Sequence, residues 1–152
     1  MEPIHIIVTI FIVILVIVFI VMQLSTYGTI STVLYTNLLF WLGCIPARAT
    51  IVYAASQKLK YTPYITGLIS FGFFQRFIRE QYRMHKGEVA NNGELGVGLG
   101  VFKTPVYWHE MRLVHAVLYG LYTLLNKYEN SYLILLADLA MAGSFNLAHY
   151  IR

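Results

Sequence analysis

The sequence predicts an all-α fold: a polytopic transmembrane protein of about four or five helical membrane segments, closed by a C-terminal helical hairpin. Three observations carry that expectation. Apolar residues make up 58% of the 152 positions and charged ones only 12%, which leaves too little polar surface to cover a water-soluble domain. Apolar runs of roughly bilayer length recur along the chain. The charges that do occur sit at the ends of those runs or singly inside them, as they do in proteins solvated by lipid. No polar stretch is long enough to fold separately in water, so residues 1–152 are expected to form one integral membrane domain.

The first segment, "IHIIVTIFIVILVIVFIVM" over residues 4–22, would extend about 28 Å as a helix against a hydrocarbon core of roughly 30 Å. Glu2 precedes it and "QLSTYG" follows; a cleaved leader would carry a basic start and a small-residue cleavage site, so this run is expected to stay as an anchor. A second span is predicted over 33–55, with Pro46 and Arg48 inside it. Proline removes a ladder donor and crowds the preceding turn, so a kink or break is expected there. An arginine at that depth needs a carboxylate, carbonyls, water or a headgroup. A third, shorter span is predicted over 61–78; its Gly67 and Gly72 would allow another helix to approach closely.

From Arg76 to Lys103 the composition shifts to a basic start and a Gly-rich continuation, and residues 79–105 are predicted to form the main exposed loop. Its "GELGVGLGV" matches neither the dinucleotide-binding nor the P-loop pattern and follows no strand. The hairpin is predicted as helices over 106–126 and 131–151 joined by "KYEN", with Asn130 or Ser131 as the cap. With five spans, Arg76, Arg79, Arg83, Lys86, Lys103 and Arg152 fall on one side, the cytoplasmic one, and Lys58, Lys60 and Lys127 on the other. If the Pro46 segment is re-entrant, the count drops to four and the N-terminus changes sides.

The chemistry-bearing residues concentrate in the hairpin. Trp108, Arg112, His115, Tyr119 and Tyr122 recur at helical spacing on one face, and Asp138, Ala142, Phe145 and His149 on another, with Asn146 beside them. Folding about the turn would bring the stripes level. Asp138 lies deepest, and a buried carboxylate must pair with a cation, accept from Tyr119 or His115, or take up a proton; Arg112, Arg48 and Arg76 are the candidate cations. One reading is a polar seam that fixes helix register. The other is a working site, with His109 and His149 on a metal or haem, or a His/Asp proton relay. Two histidines fall short of the three or four ligands a metal needs, and Glu110 points off the stripe. No catalytic, cofactor-binding or metal residue is therefore assigned.

The net charge of +4 lies beside the apolar runs, which suits anionic headgroups rather than nucleic-acid readout. Arg76, Arg79, Arg83, Lys86 and Lys103 are the candidate headgroup or partner contacts. The single Cys44 excludes an internal disulfide and any Cys-based metal cage within one chain.

Size and basicity invite comparison with membrane-associated eicosanoid and glutathione enzymes, but "QRFIREQYR" does not reproduce their Arg-rich helix. The final block, "TPVYWHEMRLVHAVLYGLYTLL" followed by "DLAMAGSFNLAHYIR" over 104–152, resembles small multi-span membrane proteins of large nucleocytoplasmic DNA viruses, including the algal chloroviruses. That resemblance implies a non-enzymatic component of the virion's internal membrane, a minor capsid protein linking lipid to capsid or scaffold proteins. A homo-oligomer is compatible with it. The competing expectations are a small transporter, channel or proton-handling protein, and a glutathione-dependent membrane enzyme.

Overall fold

The computed structural model describes Thr9, Ile12, Val13, Val16 and residues 37–87, 98–99, 105–106 and 111–151. The first predicted span therefore lies largely outside the described residues; its four described positions are helical and exposed. Among the described residues the fold is helical apart from one short β pair. A π-helical stretch, Leu39–Cys44, leads into α1 (Ile45–Ser56), followed by α2 (Thr62–His85), α3 (Met111–Leu125) and α4 (Tyr132–Ile151). Between α2 and α3, Gly98–Leu99 (β1) pairs antiparallel with Pro105–Val106 (β2). The rest of the Gly-rich segment lies outside the described residues. Among the described helices, Leu39–Ser56, 18 residues long, is apolar enough over a sufficient length to cross a membrane; Met111–Leu125 and Tyr132–Ala148 are shorter apolar helices.

The chain divides into two compact units. Unit 1 comprises Met1–Thr62 with Asn126–Arg152, and unit 2 comprises Pro63–Leu125.

In unit 1, α1 packs on α4. Of the kink or break expected at Pro46, a break does not occur: Leu39–Ser56 runs on as one helical stretch in which the hydrogen-bond register changes. Ile45 donates its N–H to Phe40 O, the wider i−5 bond of a π turn, so the missing Pro46 donor and its bulky ring fall where the ladder is already opening. Thr50 Oγ1 then donates to Pro46 O at 2.8 Å. The end of α1 is closed by Lys58 N–H to Ala55 O at 3.0 Å and Leu59 N–H to Ala54 O at 3.1 Å. This is the Schellman pattern, with Lys58 in the left-handed position at φ 50° that glycine normally takes. At the start of α4, Ser131 Oγ donates back to Asn126 O at 3.5 Å rather than capping the next turn.

In unit 2, α2 is longer than the predicted 61–78 span. It continues to His85, 24 residues in all, so residues 79–85 are helix and not loop. The reason is electrostatic: Glu80 sits one turn from both Arg76 and Arg83, at 3.4 and 3.3 Å, and such spacings favour helix. Gly87, at φ 70°, marks where the left-handed turn ends it. α2 and α3 run antiparallel, because partners rise in number along one as they fall along the other: Thr66 with Thr123, Ser70 with Ala116, and Phe73 with His115.

Packing is tightest at small residues. A Cβ on Gly120 would lie 3.1 Å from Ser70 Oγ and one on Gly67 3.4 Å from Thr123, whereas one on Gly72 would meet nothing. Gly67 thus serves the close approach expected of it and Gly72 does not.

Burial is inverted relative to a water-soluble protein. Arg48, Thr50, Thr62, Thr66, Glu80, Arg112, His115, Ser131, Asp138 and Asn146 are buried, while Leu68, Phe71, Phe74, Ile78, Val117, Leu121, Leu124, Leu133 and Phe145 are exposed.

Candidate functional site

Unit 1 holds a buried ion pair. Arg48 projects from α1 and its NH1 donates to Asp138 Oδ2 on α4; the residues are 7% and 0% exposed. Arg48 Nε also donates to Cys44 Sγ at 3.4 Å, one turn back, so the junction between the π turn and α1 helps to aim the guanidinium. On α4, the face that carries Asp138 continues through buried Ala142 to buried Asn146. The backbone of His149 is helical, but its side chain lies outside the described residues.

The pair answers the question posed by an isolated carboxylate in an apolar run. Arginine keeps its charge in proteins, and Asp138 gives it a partner inside the helix pair. Ionic attraction of this kind is strong where water is excluded, and both charges would be costly alone.

Unit 2 holds a longer seam between α2 and α3. At one end, Thr66 Oγ1 and Thr123 Oγ1 lie 2.9 Å apart, with Thr66 donating to Pro63 O at 3.0 Å and Thr123 within 2.9 Å of Tyr119 O. Next, Ser70 Oγ donates to Ala116 O at 2.7 Å. The Phe73 ring then packs against His115 and Tyr119 at centroid distances of 5.4 and 6.1 Å. At the far end, buried Glu80 accepts from Arg76 and Arg83, and buried Arg112 lies within electrostatic reach of both Glu80 and Arg76.

The structure thus gives the two hairpin stripes different described partners. Within unit 1, Asp138 meets Arg48; within unit 2, His115 and Tyr119 meet Phe73. Trp108, His109 and Lys103 lie outside the described residues. Of the other predicted headgroup contacts, Arg79 and Lys86 are exposed, and Arg76 and Arg83 are half-buried beside Glu80.

Compared with known protein families, curated proteins and solved structures, the chain matches none. The site therefore speaks through its geometry.

Sequence reading missed Glu80, which arginines on either side disguised as part of an exposed basic loop. A signal was present: Thr66, Ser70, Phe73 and Glu80 all fall on one 3.6-residue face. Cys44 as an acceptor for Arg48 was also legible as an i, i+4 pair. Among the described residues no group of three or more His, Cys, Asp and Glu side chains is placed to hold a metal ion. What the arrangement does chemically is pair charges and make hydrogen bonds inside two helix pairs.

Proposed function

We propose that this chain is a structural, multi-pass integral membrane protein whose interior charges lock its helices together. The observation that carries the reading is the inverted burial. In water, apolar side chains go inside and unpaired charges stay out. Here α2 exposes Tyr64, Ile65, Leu68, Phe71, Phe74 and Ile78 and buries Thr62, Thr66 and Glu80; α3 exposes Leu113, Val114, Val117, Leu121 and Leu124 and buries Arg112 and His115 together with Ala116, Tyr119 and Tyr122. Lipid is the solvent in which that distribution costs least, because polar groups must then find partners inside. α2, too charged to be recognised as a span by composition, supports the reading through its aromatic residues: exposed Tyr64 and Tyr82 stand 18 residues apart, about 27 Å along the axis and close to the hydrocarbon thickness.

A structural role fits a carboxylate fixed by arginine better than a proton-handling one, since a relay group must exchange its proton with water. Reconstitution into liposomes separates the two. Asp138→Asn is expected to weaken the fold, with neither wild type nor variant conducting protons or ions; wild-type flux abolished by Asp138→Asn in a protein that still folds would establish the transporter reading instead.

Placement in a virion's internal membrane, against a capsid or scaffold protein, is supported by the resemblance of residues 104–152. Its test is mass spectrometry of purified particles, from which this chain's absence would remove the proposal.

A further inference from the structure

The end of α2 does not balance its charge. Among the described residues of unit 2, Glu80 is the one acidic side chain, against Arg76, Arg79, Arg83, Lys86 and Arg112. Glu88, Glu94 and Glu110 lie outside the described residues. At about 100° per residue, Arg76, Arg79, Arg83 and Lys86 share a sector of about 80°, with Glu80 at its inner edge. Exposure follows the same sweep: Glu80 is buried, Arg76 and Arg83 are half-buried, and Arg79 and Lys86 are exposed. Glu80 uses both carboxylate oxygens, Oε1 toward Arg76 and Oε2 toward Arg83, so it orients two guanidinium groups while offsetting a single positive charge.

Two further features point to the ligand. Lys86 Nζ lies 4.7 Å from the centroid of the exposed Tyr82 ring, a cation and aromatic side chain together, as found at headgroup depth. Beyond Tyr82 the exposed side of the helix continues with Ile78 and Phe71, an apolar track leading from the basic sector toward the helix middle. A phosphate at the basic sector with hydrocarbon beneath it satisfies both surfaces at once; a soluble anion would use only the first.

We propose that this face of α2 binds the phosphate of an anionic phospholipid headgroup, with Arg79 and Lys86 in front of the Glu80-oriented guanidiniums of Arg76 and Arg83 and the acyl chains along Ile78 and Phe71. The inference rests on the membrane reading above and deepens it. Guanidinium forks suit phosphate oxygens, and ammonium adds a point charge. The basic residues also complement the carbonyl end of the helix; that role alone would give no preference among lipids.

The test is native mass spectrometry of the full chain in mixed micelles holding equal mole fractions of phosphatidylglycerol and phosphatidylcholine. Wild type is expected to retain phosphatidylglycerol preferentially, and Arg79→Gln/Lys86→Gln to lose that preference by about fivefold for each cation removed. Both residues are exposed, so folding should survive, and Arg79→Lys/Lys86→Arg should keep the preference. Equal retention of the two lipids by wild type would overturn the inference. Displacement of phosphatidylglycerol by excess inorganic phosphate would reassign the site to a soluble anion and overturn the lipid assignment. Alkaline carbonate extraction of the full chain reconstituted into vesicles of the same two lipids reads the underlying proposal separately: release from the vesicles would undo the membrane reading, whereas retention with no lipid preference would undo only the headgroup site.

Discussion

Removing Arg48 or Asp138 alone leaves the other charge buried without its counter-ion, which in protein interiors costs about 3–5 kcal/mol. Arg48→Met is therefore expected to lower stability by about that amount, and Arg48→Met/Asp138→Leu to recover most of the loss, because apolar replacements leave no charge to satisfy. Unfolding midpoints in a single detergent measure this directly. If the double variant is as unstable as the single one, packing rather than charge holds α1 to α4. Both residues were legible as charges needing partners, because an ionisable group inside an apolar run is costly. Their pairing was not. Tyr119, His115, Arg112 and Arg76 were equally eligible for Asp138 on periodicity, which fixes the face of a helix but not the helix it faces.

Among the helices, glycine makes the contrast sharpest. Gly120 allows Ser70 to come close enough to donate to Ala116 O, while Gly72 has open space around it. Gly120→Ala is expected to destabilise, since Ser70 must yield and its hydrogen bond is put at risk, a loss of about 1 kcal/mol. Gly72→Ala is expected to stabilise by about 0.5–1 kcal/mol through reduced backbone freedom. Thermal melts of the two variants should move in opposite directions; movement in the same direction would mean that the α2–α3 approach is not as tight as the geometry requires. Helix cores were readable from apolar runs, and so were the bounds of α4, predicted over 131–151 and found at Tyr132–Ile151, but the end of α2 was not. α2 outruns its apolar stretch by a full two turns because ion pairs along the helix sustain it, a contribution that hydropathy does not register. Around Pro46 the helix continues through a change of hydrogen-bond register, from the π turn into α1.

For the molecule as a whole, the proposed multi-pass arrangement carries an expectation: were all four helices to cross, Lys60 and Lys127 would share one side and Lys86 would take the other. In a Cys44→Ser background, single cysteines at those three positions are expected to react with an impermeant maleimide in that pattern. Labelling of all three from one side would refute the multi-pass reading. The expectation of an all-α fold came from composition, which is a property of the entire chain and survives local errors. The division into two units did not come from it, because composition carries no information on which helices form a compact unit.

The ion pair in unit 1 also sets an order of events during synthesis. Its partners are 90 residues apart, so at about 5–20 residues per second Arg48 emerges roughly 5–20 s before Asp138. For that interval the nascent α1 carries an arginine whose insertion alone costs about 2.5–3.5 kcal/mol. Under the proposed membrane reading, a chain halted ahead of Asp138 is expected to stay loosely inserted and to be cleared faster than one that has reached it.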